Sequence, residues 1–141
     1  MWLRLLVVTL IVFVPLHSYS FCFEEAGAHY GIHPDVLRAI ASVESGMNPY
    51  AVNFNKNGSF DYGLMQINSR WYRVLGHERW MKLADPCFNV KVGAWILAGC
   101  IKRYGYTWQA VGCYNATDRT KRVSYVRKVM NKFNLRPARS W

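Results

Sequence analysis

Four cysteines, Cys22, Cys87, Cys100 and Cys113, constrain this chain more than any other feature, because of what precedes the first of them. Residues 1–20 hold one basic residue, Arg4, and an apolar run from Leu5 to Leu16, and they close with Pro15, Ser18 and Ser20. Serines three and one positions before a cut after Ser20 give the pattern of a secretory signal peptide. The apolar run falls short of the roughly 20 residues that span a bilayer as a helix, so cleavage is expected and a permanent membrane anchor is not. Phe21 stands where a lipidated Cys22 would need a small residue before it. Export puts an even number of cysteines in an oxidising compartment, where they read as two disulfides. No C-x-x-C pair is present, so neither a zinc site nor a thioredoxin-like motif is indicated, and no metal or cofactor is expected. Four cysteines allow three connectivities. Cys100 and Cys113 fall on consecutive helices joined by a short turn, which favours Cys100–Cys113 and leaves Cys22–Cys87.

Residues 21–141 hold no internal repeat and no Pro- or Ser-rich linker, so they are read as one domain. The pattern predicts a helix over Phe23 to Tyr30 stopped by Gly31, and a second from Pro34 to about Gly46. Asn57-Gly58 is a hairpin signal flanked by Val52–Asn55 and Ser59–Tyr62. Asp85-Pro86 opens a long helix to about Tyr104, with Val90, Ala94, Leu97, Ala98 and Ile101 as a core stripe. Thr107 caps a short helix to about Cys113. Thr117 or Asp118 caps a last one, with Val123, Val126, Met130 and Phe133 facing inward. The expected fold is α+β and mostly α: a helical body, a small β-wing, and a cleft between them.

The formal net charge is +10, and after Asp118 there are eight Lys or Arg and no acid. A basic surface of this size implies an anionic partner. Export makes nucleic acid the least suitable choice and leaves anionic lipid or cell-wall polymer.

Glu44 carries the candidate chemistry. It lies seven residues after Leu37, four after Ile40 and three after Ala41, so it shares their apolar stripe. It also lies in the last helical turn, at the negative end of the dipole. Both placements disfavour the carboxylate and raise its pKa, which suits a general acid working near neutral pH. The alternative on periodicity alone is a structural Glu paired with Arg38 or Arg103. Asp61 follows 17 residues later, beside the hairpin turn. Two carboxylates across a cleft are the equipment of glycoside hydrolysis, although Asp is also common beside turns.

The run Glu44-Ser45-Gly46-Met47-Asn48-Pro49-Tyr50-Ala51-Val52-Asn53 resembles the first motif of family 1 lytic transglycosylases, whose domain is goose-lysozyme-like with one catalytic Glu. Gly63-Leu64-Met65-Gln66-Ile67-Asn68 is similar to the second motif and Ala110-Val111-Gly112-Cys113-Tyr114-Asn115-Ala116 to the third, and Tyr125 falls where the family has a further cleft tyrosine. The whole resembles the small enzymes of type III secretion and conjugation systems. The resemblance implies a periplasmic monomer acting on peptidoglycan glycan strands, with a component of a secretion or conjugation apparatus as a further partner. Glu44 would protonate the oxygen between N-acetylmuramic acid and N-acetylglucosamine. Ser45, Gln66, Asn68, Tyr114, Asn115 and Tyr125 would bind sugar, shape the cleft or orient Glu44.

Two departures from the family matter. Cys113 and Thr117 replace Ala and Gly in the third motif. Cys113 fits a bond to Cys100, whereas Thr does not easily take the positive φ open to Gly. Asp61-Tyr62-Gly63 followed by Gln66-Ile67-Asn68-Ser69-Arg70-Trp71 also resembles chicken-type lysozyme, including the spacing from catalytic Glu to catalytic Asp. The leading expectation is a lyase that leaves 1,6-anhydromuramic ends. A hydrolase using Glu44 and Asp61 is the alternative, and a non-catalytic peptidoglycan-binding assembly factor a third.

Overall fold

A computed structural model describes residues 21–116 and 118–134. The leader, its cleavage near Ser20, and the conformation of Thr117 lie outside the described residues. Among the described residues, six α-helices form the body beside one small sheet: α1 (Phe23–Tyr30), α2 (Pro34–Ser45), α3 (Tyr72–Met81), α4 (Pro86–Tyr104), α5 (Trp108–Asn115) and α6 (Arg119–Asn134). Their ends follow from local chemistry. Pro34 opens α2 after His33, whose ring nitrogen accepts from the Asp35 N–H, and Gly46 closes it in the left-handed conformation. The Asp85 carboxylate accepts from the Phe88 N–H and opens α4 with Pro86. Asp118 supplies a side-chain cap to α6, accepting from the Lys121 N–H.

α4 is the central helix, packing on α1, α2 and α5, while α2 packs against α6. Leu37, Ile40, Leu64, Met65, Leu97 and Val129 are fully buried where these elements meet. The two disulfides are Cys22–Cys87 and Cys100–Cys113, the pairing expected from sequence. The first ties the start of α1 to α4 across 65 residues; the second ties α4 to α5 across 13. Each stabilises the fold by on the order of 3–4 kcal/mol, chiefly by restricting the unfolded chain.

The wing is a three-stranded antiparallel sheet in the order β1 (Val52–Phe54), β2 (Phe60–Tyr62), β3 (Ile67–Asn68). Asn57-Gly58 makes the predicted turn, with Asn57 Oδ1 accepting from the Ser59 N–H and Gly58 at φ 81°. The register pairs Asn53 with Asp61, and Asp61 with Asn68.

The structure corrects several local expectations. β3 and α3 add to the predicted elements. α3 buries none of its residues and is interrupted at Gly76 (φ 75°), so it presents no apolar stripe to read. Thr107 stands at the α5 N-cap position, but its hydroxyl donates backward to the Tyr104 carbonyl. On α6 the buried residues are Tyr125 and Val129, and Val123 is half exposed rather than inward.

Candidate active site

The cleft between body and wing encloses about 770 Å³ and is lined by Glu44 from α2, by Asp61, Gln66 and Asn68 from the wing, and by Tyr114 and Asn115 from α5. Six residues from three separate stretches of sequence therefore meet around one space.

Glu44 reaches the cleft from the last turn of α2. Its carboxylate accepts from the Tyr125 hydroxyl at 2.6 Å, and the Asn115 side chain also donates to it. Burial is the dominant influence and pushes Glu44 from 4.5 up to about 7. The bonds from Tyr125 and Asn115 and the charge of Lys128 pull it down, while Asp61 across the cleft pushes it up. Arg38 pairs with Glu24 and Asp35 instead, and no described residue forms an ion pair with Glu44. The structural alternative of an Arg-paired Glu therefore does not hold. Near neutral pH this carboxyl is poised to give a proton and take one back.

Asp61 is held by two amides. Asn68 Nδ2 donates to one oxygen at 2.7 Å and Asn55 Nδ2 to the other at 2.8 Å. Hydrogen bonds to a carboxylate are directional and strong, and one on each oxygen fixes its orientation. Ser59 Oγ accepts from Asn55 and Asn68, which braces the pair. The two carboxyls thus sit in different surroundings: Glu44 is largely desolvated and forms no ion pair among the described residues, whereas Asp61 is clamped by two amides.

The loop between β2 and β3 is built from α4. Asn89, fully buried, accepts from the Met65 N–H at 2.8 Å and donates to the Tyr62 and Leu83 carbonyls. Gly63, at φ 79°, packs its α-carbon against that amide, where a Cβ would clash. Gln66 takes a left-handed conformation (φ 51°) that costs a non-glycine residue about 1 kcal/mol or more. Its side chain offsets this by donating to the Ala51 and Gly63 carbonyls and accepting from Asn53. Tyr114 closes the loop from α5, its hydroxyl donating to the Met65 carbonyl at 2.8 Å. Burial raises the Tyr114 and Tyr125 phenols well above their usual value, so both remain donors.

With this geometry in view, the model of the transglycosylase SLT domain matches residues 21–134. The chain belongs to the SLT transglycosylase family. Its activity is that of a peptidoglycan lytic transglycosylase. The transglycosylase is 39% identical to Protein IpgF of Shigella sonnei over 131 residues, covering 88% of this chain and 86% of that one. It is 44% identical to Invasion protein IagB of Salmonella typhimurium over 123 residues, covering 82% and 77%. A Peptidoglycan-binding-like protein of Escherichia coli O157:H7 is 37% identical over 141 residues, covering 89% and 84%.

Two of the predicted residues stand behind the cleft lining of the transglycosylase. Tyr125 is buried in α6 and reaches the site through its bond to Glu44. Ser45 donates to the Ala41 and Leu64 carbonyls, tying the end of α2 to the loop. Sequence reading missed Asn55 and Asn89. Asn89 had a visible signal, a polar residue one position from the α4 core stripe. Asn55 had none, since its role depends on hairpin register. Trp71 and Ile96 also line the cleft and are absent from the predicted set.

Cys113 lies in the cleft wall immediately before Tyr114 and Asn115. Replacing Cys100 and Cys113 together with Ser is expected to lower stability by about 3 kcal/mol and to reduce clearing of peptidoglycan well before the protein unfolds. Thermal melts beside zymography check this. Full clearing by a destabilised variant would show that the bond stabilises the fold without aligning the site.

Proposed function

We propose that this enzyme cleaves the β-1,4 bond between N-acetylmuramic acid and N-acetylglucosamine with Glu44 as its acid and base, and that it leaves 1,6-anhydromuramic ends. The observation that carries this reading is the Glu44 carboxyl, buried between Tyr125 and Asn115 with its pKa near 7 and facing the cleft. Glu44 gives its proton to the glycosidic oxygen as the C1–O bond breaks, and the departing sugar keeps that proton as its 4-hydroxyl. Asp61, held in place by Asn55 and Asn68, stabilises positive charge developing at C1. Glu44 then takes the proton of the same muramic residue's 6-hydroxyl while O6 bonds to C1, which restores the acid without consuming water. Gln66, Asn68, Tyr114 and Asn115 hold the sugar or the groups that act on it.

A hydrolytic outcome is the second reading, and the clamped Asp61 favours it, since a fixed carboxylate opposite the acid also serves a water-accepting route. Mass analysis of muropeptides released from purified sacculi decides between them. Anhydro ends, one water lighter, are expected; products that are all reducing sugars would replace the lyase with a lysozyme.

The names of the relatives IpgF and IagB, the second printed as an invasion protein, support a role in opening the wall locally for a secretion or conjugation apparatus. The signal-like leader and two disulfides support export to the periplasm with cleavage near Ser20.

Tyr125 acts through Glu44, so its removal has a signature of its own. The Tyr125 bond lowers the Glu44 pKa, and its loss raises it. Tyr125→Phe is therefore expected to move the alkaline limb of the pH–activity profile upward, whatever it does to the maximum. A pH profile on soluble glycan strands measures this, and an unmoved or lowered limb contradicts it.

A further inference from the structure

Two apolar depressions lie outside the catalytic cleft and share no lining residue with it. One, of about 300 Å³, is bounded by Ile32, Val36, Tyr106 and Phe133. The other, of about 510 Å³, lies along α5 and α6 against Tyr104, Val123 and Val126. Trp108 lines both and so stands between them, and the second, along α5 and α6, is a trough. The residues along it are exposed in a way that burial does not explain. Val123 is 50% exposed and Trp108 38%. Gly112 lets α5 approach α6 closely at the floor, where a Cβ would press on Arg122 and Val126.

The rim is cationic. Arg119, Val123 and Arg127 recur every four residues, so the two arginines flank the exposed valine on one face of α6. Arg119 and Arg127 are exposed and form no ion pair among the described residues. Arg122 stands between them, bonded to the Ala116 carbonyl and the Tyr104 hydroxyl. That bond, with Arg103 adding to it, holds the Tyr104 phenol below its usual value. No carboxylate lines either depression.

We propose that this trough docks an acidic amphipathic helix of a partner protein, with its apolar face on Trp108, Val123 and Val126 and its carboxylates on Arg119 and Arg127. An apolar floor with a one-sign rim is the complement of such a helix. Other occupants fit less well. Residues 135–141 carry Arg136 and Arg139 and no Asp or Glu, and a net charge of +10 opposes a second copy. A bilayer surface calls for protruding apolar side chains, whereas this face is concave.

The test is selection of displayed 16-residue helical peptides, with Leu fixed at helical spacing and the flanking positions randomised, on the folded protein. Selected peptides are expected to be enriched in Asp and Glu beside the Leu stripe. The best of them should bind at least tenfold more weakly to Arg119→Glu/Arg127→Glu and to Trp108→Ala. Arg119→Glu/Arg127→Glu should retain its melting temperature, and both variants, assayed below their melting temperatures, should retain their turnover of soluble glycan fragments. Selection without acidic enrichment, or equal binding to the double variant, overturns the proposal. So does displacement of the peptide by phosphatidylglycerol vesicles, which assigns the face to a membrane. Self-association in light scattering that Trp108→Ala abolishes assigns it instead to a second copy.

Discussion

Glu44→Gln is expected to yield a protein that no longer clears peptidoglycan yet resists unfolding better than the wild type at neutral pH. The first half follows from chemistry: a positioned acid is worth about 10²–10⁴ in rate, and Gln has no proton of suitable acidity to give. Because the same group also serves as base in the proposed route, the loss should lie at the upper end, about a thousandfold or more. The second half follows from linkage. The folded-state pKa of Glu44, about 7, lies above the ordinary 4.5, so the folded protein holds this proton more tightly than the unfolded chain does. Stability associated with the protonated carboxyl is complete below about pH 4.5 and is lost as pH rises through 7. The loss is on the order of 3 kcal/mol. A neutral amide of the same shape never incurs it. Denaturant curves at pH 4 and pH 8 should show a stability difference between variant and wild type that widens in the variant's favour. A difference that stays constant with pH would mean that Glu44 titrates normally and is not the poised acid.

Asp61→Asn is expected to lower turnover on sacculi by about a hundredfold, in the range found for aligned electrostatic groups. Activity within about twofold of wild type would remove any catalytic role for Asp61. The pH profile supplies an independent reading. The Asp61 charge raises the Glu44 pKa, so its removal should move the alkaline limb downward, opposite to the shift expected for Tyr125→Phe. Two conservative changes on either side of one carboxyl would thus displace the same limb in opposite directions, which damage to the fold alone would not do. Melting curves accompany the assay, because the substitution also disturbs the wing. Asn55 and Asn68 each point an amide donor at this position, and the new side chain would bring a donor of its own.

Much of the architecture is legible because its signals are local. Pro34, Asp85-Pro86 and Gly46 mark helix ends through φ limits and capping oxygens, and Asn57-Gly58 marks the turn. The Cys100–Cys113 pairing follows from two helices and a short connection. What stays hidden depends on distant partners. Strand β3 is only two residues long and exists because the Gly63–Gln66 turn returns the chain beside Asp61. α3 lies on the surface and has no apolar stripe. Within the site, the position of Glu44 on a buried stripe is readable, whereas its partners are not: a cationic neighbour is the structural alternative, and hydrogen-bond donors from α5 and α6 stand there instead. Asn55 cannot be assigned from sequence, because its contact with Asp61 is made across six residues of a hairpin whose register sequence does not fix.

The Cys100–Cys113 bond also bears on when the enzyme becomes competent. It anchors the end of α5, and the two residues that follow Cys113 supply the hydroxyl that closes the loop between β2 and β3 and an amide donor to Glu44. In a reducing compartment this anchor is missing, and so is the Cys22–Cys87 tie. A chain exported as proposed would cross the cell interior before its cutting edge was set and would complete it only beside its substrate. The staple that holds the fold would then double as a safety catch for the cell that makes it.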